Sequence, residues 1–70
     1  MSIGNQIKTI RLNSLLSQVE FAKALGVSFS TVNRWENDKV TPNFQTIKRI
    51  RDFCISNKID FTIDVSRLKK

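Results

Sequence analysis

The sequence predicts a mainly α domain of four to five short helices, followed by a segment that alternates like a strand. Three observations lead there. Apolar residues recur at helical spacing from Ile3 to about Cys54. The stretch SQVEFAKALGVSFSTVNRWEN, residues 17–37, runs amphipathic, stops at Gly26 and runs amphipathic again. In KIDFTIDVS the period changes to two. Seventy residues make one domain. A core of that size is worth about 3–5 kcal/mol net. The pattern divides the chain into a helical unit, 1–56, and a tail, 57–70.

Ile3, Ile7 and Ile10, with Leu15 extending the same face, predict a first helix near residues 2–12. Asn13 and Ser14 are its stop signals. Ser17 is a good N-cap, and Glu20 three residues on completes a capping box. The helix that follows, about 17–25, turns Phe21, Ala22 and Leu25 inward. Gly26 ends it, because glycine takes a left-handed cap without a Cβ penalty. Ser28 caps the next helix, about 28–37, whose inward residues are Val32 and Trp35. DKVTPN is a loop. Asn43 or Thr41 caps a fourth helix, with Phe44, Ile47, Ile50, Phe53 and Cys54 as its apolar positions.

Beyond it, Ile59, Phe61, Ile63 and Val65 alternate with Asp60, Thr62 and Asp64, which predicts a strand. A helical reading stays open, because Phe61, Val65 and Leu68 are also helically spaced.

The net charge of +6 points to a polyanionic partner, against the plainer reading of a solvated basic surface. One cysteine and no histidine exclude an internal disulfide and leave no ligand set for a zinc site. No metal or other cofactor is expected. Cys54 falls on an apolar helix face and reads as core filler rather than a reactive thiol. An enzyme is not expected either, since no acid–base or nucleophile constellation assembles from one cysteine and scattered carboxylates. No apolar run reaches membrane-spanning length, so no membrane association is expected. The start, MSIGNQIKTIRLN, lacks the basic-then-apolar order of a secretory signal, and a cytoplasmic protein is expected.

The glycine break carries the functional argument. Two short helices joined by a three-residue turn cross steeply, and the crossing needs a small residue where they touch. Ala22 stands four before Gly26. Phe21 and Leu25 close the angle from one arm, Val32 and Trp35 from the other, and Val27 lies in the turn. This is a helix-turn-helix pattern. Trp35 is needed to close the angle, so it reads as core rather than a stacking platform. The outer face of the second arm keeps Phe29, Ser30, Thr31, Asn33, Arg34 and Asn37. A merely solvated face more often carries Glu and Lys. Short polar side chains and an arginine suit base edges and phosphates.

The segment SQVEFAKALGVSFSTVNRWENDKVTPN resembles the phage repressor and Cro-type (XRE-like) helix-turn-helix regulators. The residues that carry the resemblance are Gln18, Glu20, Phe21, Ala22, the run Leu25-Gly26-Val27-Ser28, Trp35-Glu36-Asn37, Lys39 and Pro42-Asn43. It extends over residues 3 to about 54 without a gap. It implies a lambda-repressor-like helical DNA-binding domain that reads the major groove of double-stranded DNA with helix 28–37.

By that resemblance, Gln18 contacts a phosphate at a helix N-terminus. Ser28, Asn37, Lys39, Thr41 and Asn43 make further backbone contacts. Phe29, Ser30 and Arg34 inherit the base-reading positions, with Thr31 and Asn33 adjacent. Phe29 offers no hydrogen bond, and meets a thymine methyl or packs on a neighbour. Gln18 has the alternative of capping its own helix. Lys39 would be solvated by default. Arg11 and Glu36 correspond to an ion pair behind the recognition helix, or else are two unrelated surface charges. This chain departs from the family at Asp38, where a glycine is usual.

The expected function is a sequence-specific transcriptional regulator, acting by occupancy as a small repressor or autoregulator. A strand at 59–65 has no partner within a helical domain. Antiparallel pairing of two copies through Ile59, Phe61, Ile63 and Val65 is therefore expected, giving a homodimer. A fifth helix, or a tail that folds on a partner, is the alternative. The competing function is an antitoxin-like module that binds a polypeptide such as a toxin through residues 55–70.

Overall fold

The computed structural model describes residues 2–64 and Ser66. Four helices follow one another: α1 (Ile3–Asn13), α2 (Gln18–Leu25), α3 (Phe29–Glu36) and α4 (Phe44–Asn57).

All four helices begin alike. Ser2, Ser17, Ser28 and Asn43 hold extended backbone, and each side chain accepts the N–H of the residue three further on. Each cap satisfies a donor that the first helical turn leaves open. At α2 the capping box is complete: the Glu20 carboxylate accepts the Ser17 backbone N–H at 2.9 Å. Asn43, not Thr41, caps α4.

All four also end alike, on a residue with positive φ. Leu15 (59°), Gly26 (73°), Asp38 (58°) and Lys58 (57°) occupy the left-handed region. Each turn closes with two backbone bonds that satisfy the helix's last carbonyls. After α3, Asp38 N–H donates to the Trp35 carbonyl at 3.1 Å and Lys39 N–H to the Arg34 carbonyl at 2.9 Å. After α4, Lys58 and Ile59 donate to Ile55 and Cys54. After α1, Leu15 and Leu16 donate to Leu12 and Arg11. Leu15 therefore departs from the sequence expectation. The left-handed turn throws it outward to 90 % exposure, and Leu16 packs on the core instead.

The core takes Ile7 and Ile10 from α1, Phe21, Ala22 and Leu25 from α2, Val32 and Trp35 from α3, and Ile47, Ile50 and Cys54 from α4. Phe21 and Phe53 meet edge to face, with ring centroids 5.4 Å apart, tying α2 to α4. Fully burying one such large apolar side chain is worth about 1.5–3 kcal/mol. Both α1 and α2 pack on α3, so the core holds α3 from behind. Among the described residues no helix is long and apolar enough to cross a membrane.

The strand expected at 59–65 is not formed among residues 59–64, and Val65 lies outside the described residues. The period-two pattern does set the faces. Ile63 is buried, Ile59 and Phe61 pack partly against the core, and Asp60 and Thr62 are exposed. A strand also needs a second backbone to pair with. Within the described residues, 60–63 make no backbone–backbone hydrogen bond. The segment lies irregularly over its own helices, and a Gln6 side-chain oxygen accepts the Asp64 N–H at 3.3 Å. No fifth helix forms in 59–64 either.

Candidate nucleic-acid interface

The turn between α2 and α3 is Gly26-Val27-Ser28, with Val27 half-buried and Ala22 2 % exposed at the crossing. Val32 and Trp35 anchor one side of α3 in the core. The other side is exposed at Phe29, Ser30 and Arg34, while Thr31 and Asn33 are half-buried. Phe29 stands 49 % exposed, so packing on a neighbour does not hide its ring.

Behind this face lies an ion pair. Arg11 Nε donates to Glu36 Oε2 at 2.6 Å and Nη2 to Oε1 at 3.0 Å, a bidentate grip. Arg11 Nη1 donates to the Leu16 carbonyl at 3.0 Å. The two side chains are 11 % and 4 % exposed. The hydrogen bonds that Arg11 donates to the Glu36 carboxylate push the guanidinium pKa further up. The pair thus joins the end of α1 to the end of α3. It also turns inward the only carboxylate of α3.

Gln18 does not cap α2, since Ser17 does that. Its Nε2 donates to Glu36 Oε1 at 3.0 Å, and its Oε1 accepts from Asn33 Nδ2 at 3.2 Å. Asn37 Nδ2 donates to the Asn33 carbonyl at 2.8 Å and to Asn33 Oδ1 at 3.3 Å. The side chains of Gln18, Asn33 and Asn37 therefore run as one row from the surface to the buried pair. The Ser28 and Thr31 hydroxyls share a bond of 2.9 Å at the start of α3. Lys39 and Thr41 are exposed in the loop after it, and Asn43 is committed to capping α4.

Two features of this surface were not read from the sequence. The first is the Gln18–Asn33 bond, which no spacing rule signals because the residues belong to different helices. The second is the role of Asp38. Its Oδ1 accepts the N–H of Gly4 at 3.2 Å, so a carboxylate sits at the N-terminus of α1. Asp38 thereby fastens the α3–α4 loop to the first helix. The signal was the departure from glycine at that position.

A helix-turn-helix family profile matches residues 7–54. The chain is 31 % identical over 64 residues to the HTH-type transcriptional activator BcrR of Enterococcus faecalis. The match takes in 91 % of this chain but only 29 % of that protein, so the chain spans under a third of its relative's length. No solved structure matches significantly. The profile covers both arms of the motif and most of the helices packed around them, and the chain belongs to the helix-turn-helix family.

Proposed function

We propose that this chain binds double-stranded DNA by placing α3 in the major groove, and represses transcription by occupying its site. The observation that carries the reading is the two-sidedness of α3. Its inner side is fixed by Trp35 and by the Arg11–Glu36 pair, while its outer side shows Phe29, Ser30 and Arg34 and no carboxylate. Arg34 is the reader of a guanine edge, and Lys39 and the Ser28–Thr31 hydroxyls contact phosphates. The net charge of +6 favours the polyanion overall.

Selection of bound sequences from a random duplex pool tests this directly. The expected result is an enriched motif whose binding weakens steeply with added salt. A pool that enriches nothing overturns it. The sign is read from a reporter carrying the selected site. Reduced output supports repression; raised output gives the activity named in the relative from Enterococcus faecalis.

Among the described residues the backbone of 60–63 has no backbone partner, which supports a homodimer in which two copies pair antiparallel through 59–65. The apolar side of each segment already covers its own core, which leaves the backbone edge for the second copy. Two α3 helices would then meet successive grooves about 34 Å apart, and the selected motif would be a palindrome. Sedimentation at high micromolar concentration decides it. A monomer there rules the pairing out.

A further inference from the structure

Phe44, Ile47, Lys48 and Arg51 fall on one face of α4 at helical spacing, and the stripe changes from apolar to basic along the helix. Phe61, from the segment after α4, completes with them the lining of a groove of about 320 Å³. Ile47 is buried, Phe44 and Phe61 are half-buried, and Lys48 and Arg51 are exposed. The groove therefore passes from apolar walls to a cationic rim. No carboxylate lines it.

The rim is short of negative charge. Lys48 has no ion pair among the described residues, and Arg51 Nη2 meets only Asp52 Oδ1, at 3.4 Å. That pair is 51 % and 69 % exposed, and so open a contact is weak in water. Lys48 and Arg51 also stand one turn apart on the same face, where like charges repel. An anion placed between them relieves that repulsion. The cations alone would accept any anion, and the apolar lining selects one that carries an apolar body. Size narrows the choice further. One turn of helix with its side chains occupies roughly 500 Å³, from a diameter of 10–12 Å and a pitch of 5.4 Å. A volume of about 320 Å³ lies at the small end of sites for small molecules. It takes in such a molecule whole, where a docked helix would only graze it.

We propose that this groove binds a small organic carboxylate with an apolar body, of the medium-chain fatty-acid class. The apolar body lies against Phe44, Ile47 and Phe61, and the carboxylate meets Lys48 and Arg51, with both oxygens free to accept from the guanidinium. Entry asks little of the fold. Within the described residues, 60–63 make no backbone–backbone hydrogen bond, so Phe61 can shift outward without breaking a ladder. The site stands apart from the DNA-binding reading and uses none of the residues assigned to the duplex.

Calorimetric titration with decanoate, below its micelle-forming concentration, tests the proposal, with decan-1-ol and decyltrimethylammonium beside it. Decanoate should fill a single site per chain and bind more weakly as salt is added. The alcohol should bind roughly tenfold more weakly and the cation not at all. Replacing both rim cations, Lys48→Gln with Arg51→Gln, should leave the thermal melt unchanged and weaken decanoate roughly tenfold. Phe61→Ala should weaken decanoate and decan-1-ol alike. Backbone amide shifts on binding should centre on residues 44–51 and 59–63. Equal affinity for acid and alcohol, or an undiminished affinity in the doubly substituted chain, would mean adsorption to apolar surface and overturn the proposal. Shifts centred elsewhere, or neither heat nor shifts at millimolar decanoate, overturn it too. So does a parent dimer that Phe61→Ala dissociates and that takes up no decanoate, because a second copy then fills the groove.

Discussion

Gly4 lies directly on the backbone carbonyl of Trp35, with no space for a side chain between them. A Cβ at Gly4 would overlap that oxygen and stand 2.5 Å from Asp38 Oδ1. The Asp38 side chain could swing away, but the Trp35 carbonyl is fixed in α3. Gly4→Ala must then push α1 and α3 apart, at a cost of about 1–3 kcal/mol. A denaturant melt followed by circular dichroism checks it, and an unchanged midpoint refutes the close crossing.

The Arg11–Glu36 pair has almost no contact with water, with Glu36 only 4 % exposed. Glu36→Ala leaves the guanidinium buried without its counter-charge and removes the acceptor of Gln18. The expected destabilisation is about 3–5 kcal/mol, comparable with the whole stability of so small a domain. The thermal melt should fall sharply, and DNA binding should fail at temperatures where the parent is folded. A melt equal to the parent's contradicts the geometry.

Leu15 and Lys58 hold left-handed backbone without an evident return from their side chains. Leu15 is also 90 % exposed. Leu15→Gly and Lys58→Gly should each raise stability by about 0.5–1 kcal/mol, since relief of the Cβ clash outweighs glycine's greater chain entropy. Asp38→Gly should gain less, because it also removes the hydrogen bond to Gly4. Equal gains at all three positions would mean that the Asp38–Gly4 bond contributes nothing.

The Ser17 backbone N–H, and then its hydroxyl, hold the Glu20 carboxyl below its ordinary value of 4.5. A carboxyl lowered in the folded chain stabilises it above the unfolded value, and that contribution is lost as pH falls through the folded value. The melting advantage of the parent over Glu20→Gln should therefore be constant near neutrality and shrink below about pH 4.5. An advantage that persists undiminished to pH 2 would show that the carboxylate form is not what the cap uses.

Arg34 and Lys39 should separate by what they read. Arg34→Ala should cost about 1–3 kcal/mol on the selected site and relax one position of it. Lys39→Ala should weaken every duplex alike and reduce the salt slope by about one. Equal losses on specific and random duplex for Arg34→Ala would move it from base edge to phosphate.

Most helix starts were legible because a Ser or Asn before an apolar period has one strong use. Gly26 was legible as an ending for the same reason. The endings at Leu15, Asp38 and Lys58 were not, because none of these residues advertises positive φ. There the backbone bonds of the closing turn and the packing of Leu16 and Ile59 outweigh local preference. The alternation in 59–65 correctly told which side chains turn inward as far as Ile63. It could not tell whether a partner backbone was present, since pairing is a property of two segments. At the interface, residue types pointed to α3, but the bonding of Gln18 to Asn33 depends on how two helices cross and leaves no trace in either one's spacing.

Cys54 is fully buried in α4, and burial pushes its thiol above the ordinary value of 9.0. The thiolate is the form that attacks a thiol reagent, so the folded chain reacts only when α4 lifts from the core. As the single sulfhydryl of the chain, it is a one-site clock. At low reagent its labelling rate follows the population of the opened form; at high reagent it levels off at the opening rate. A ligand that binds only the closed form slows that clock by mass action. Occupancy of α3 can thus be timed without a label on the duplex, by counting how slowly a thiol on another helix comes into view.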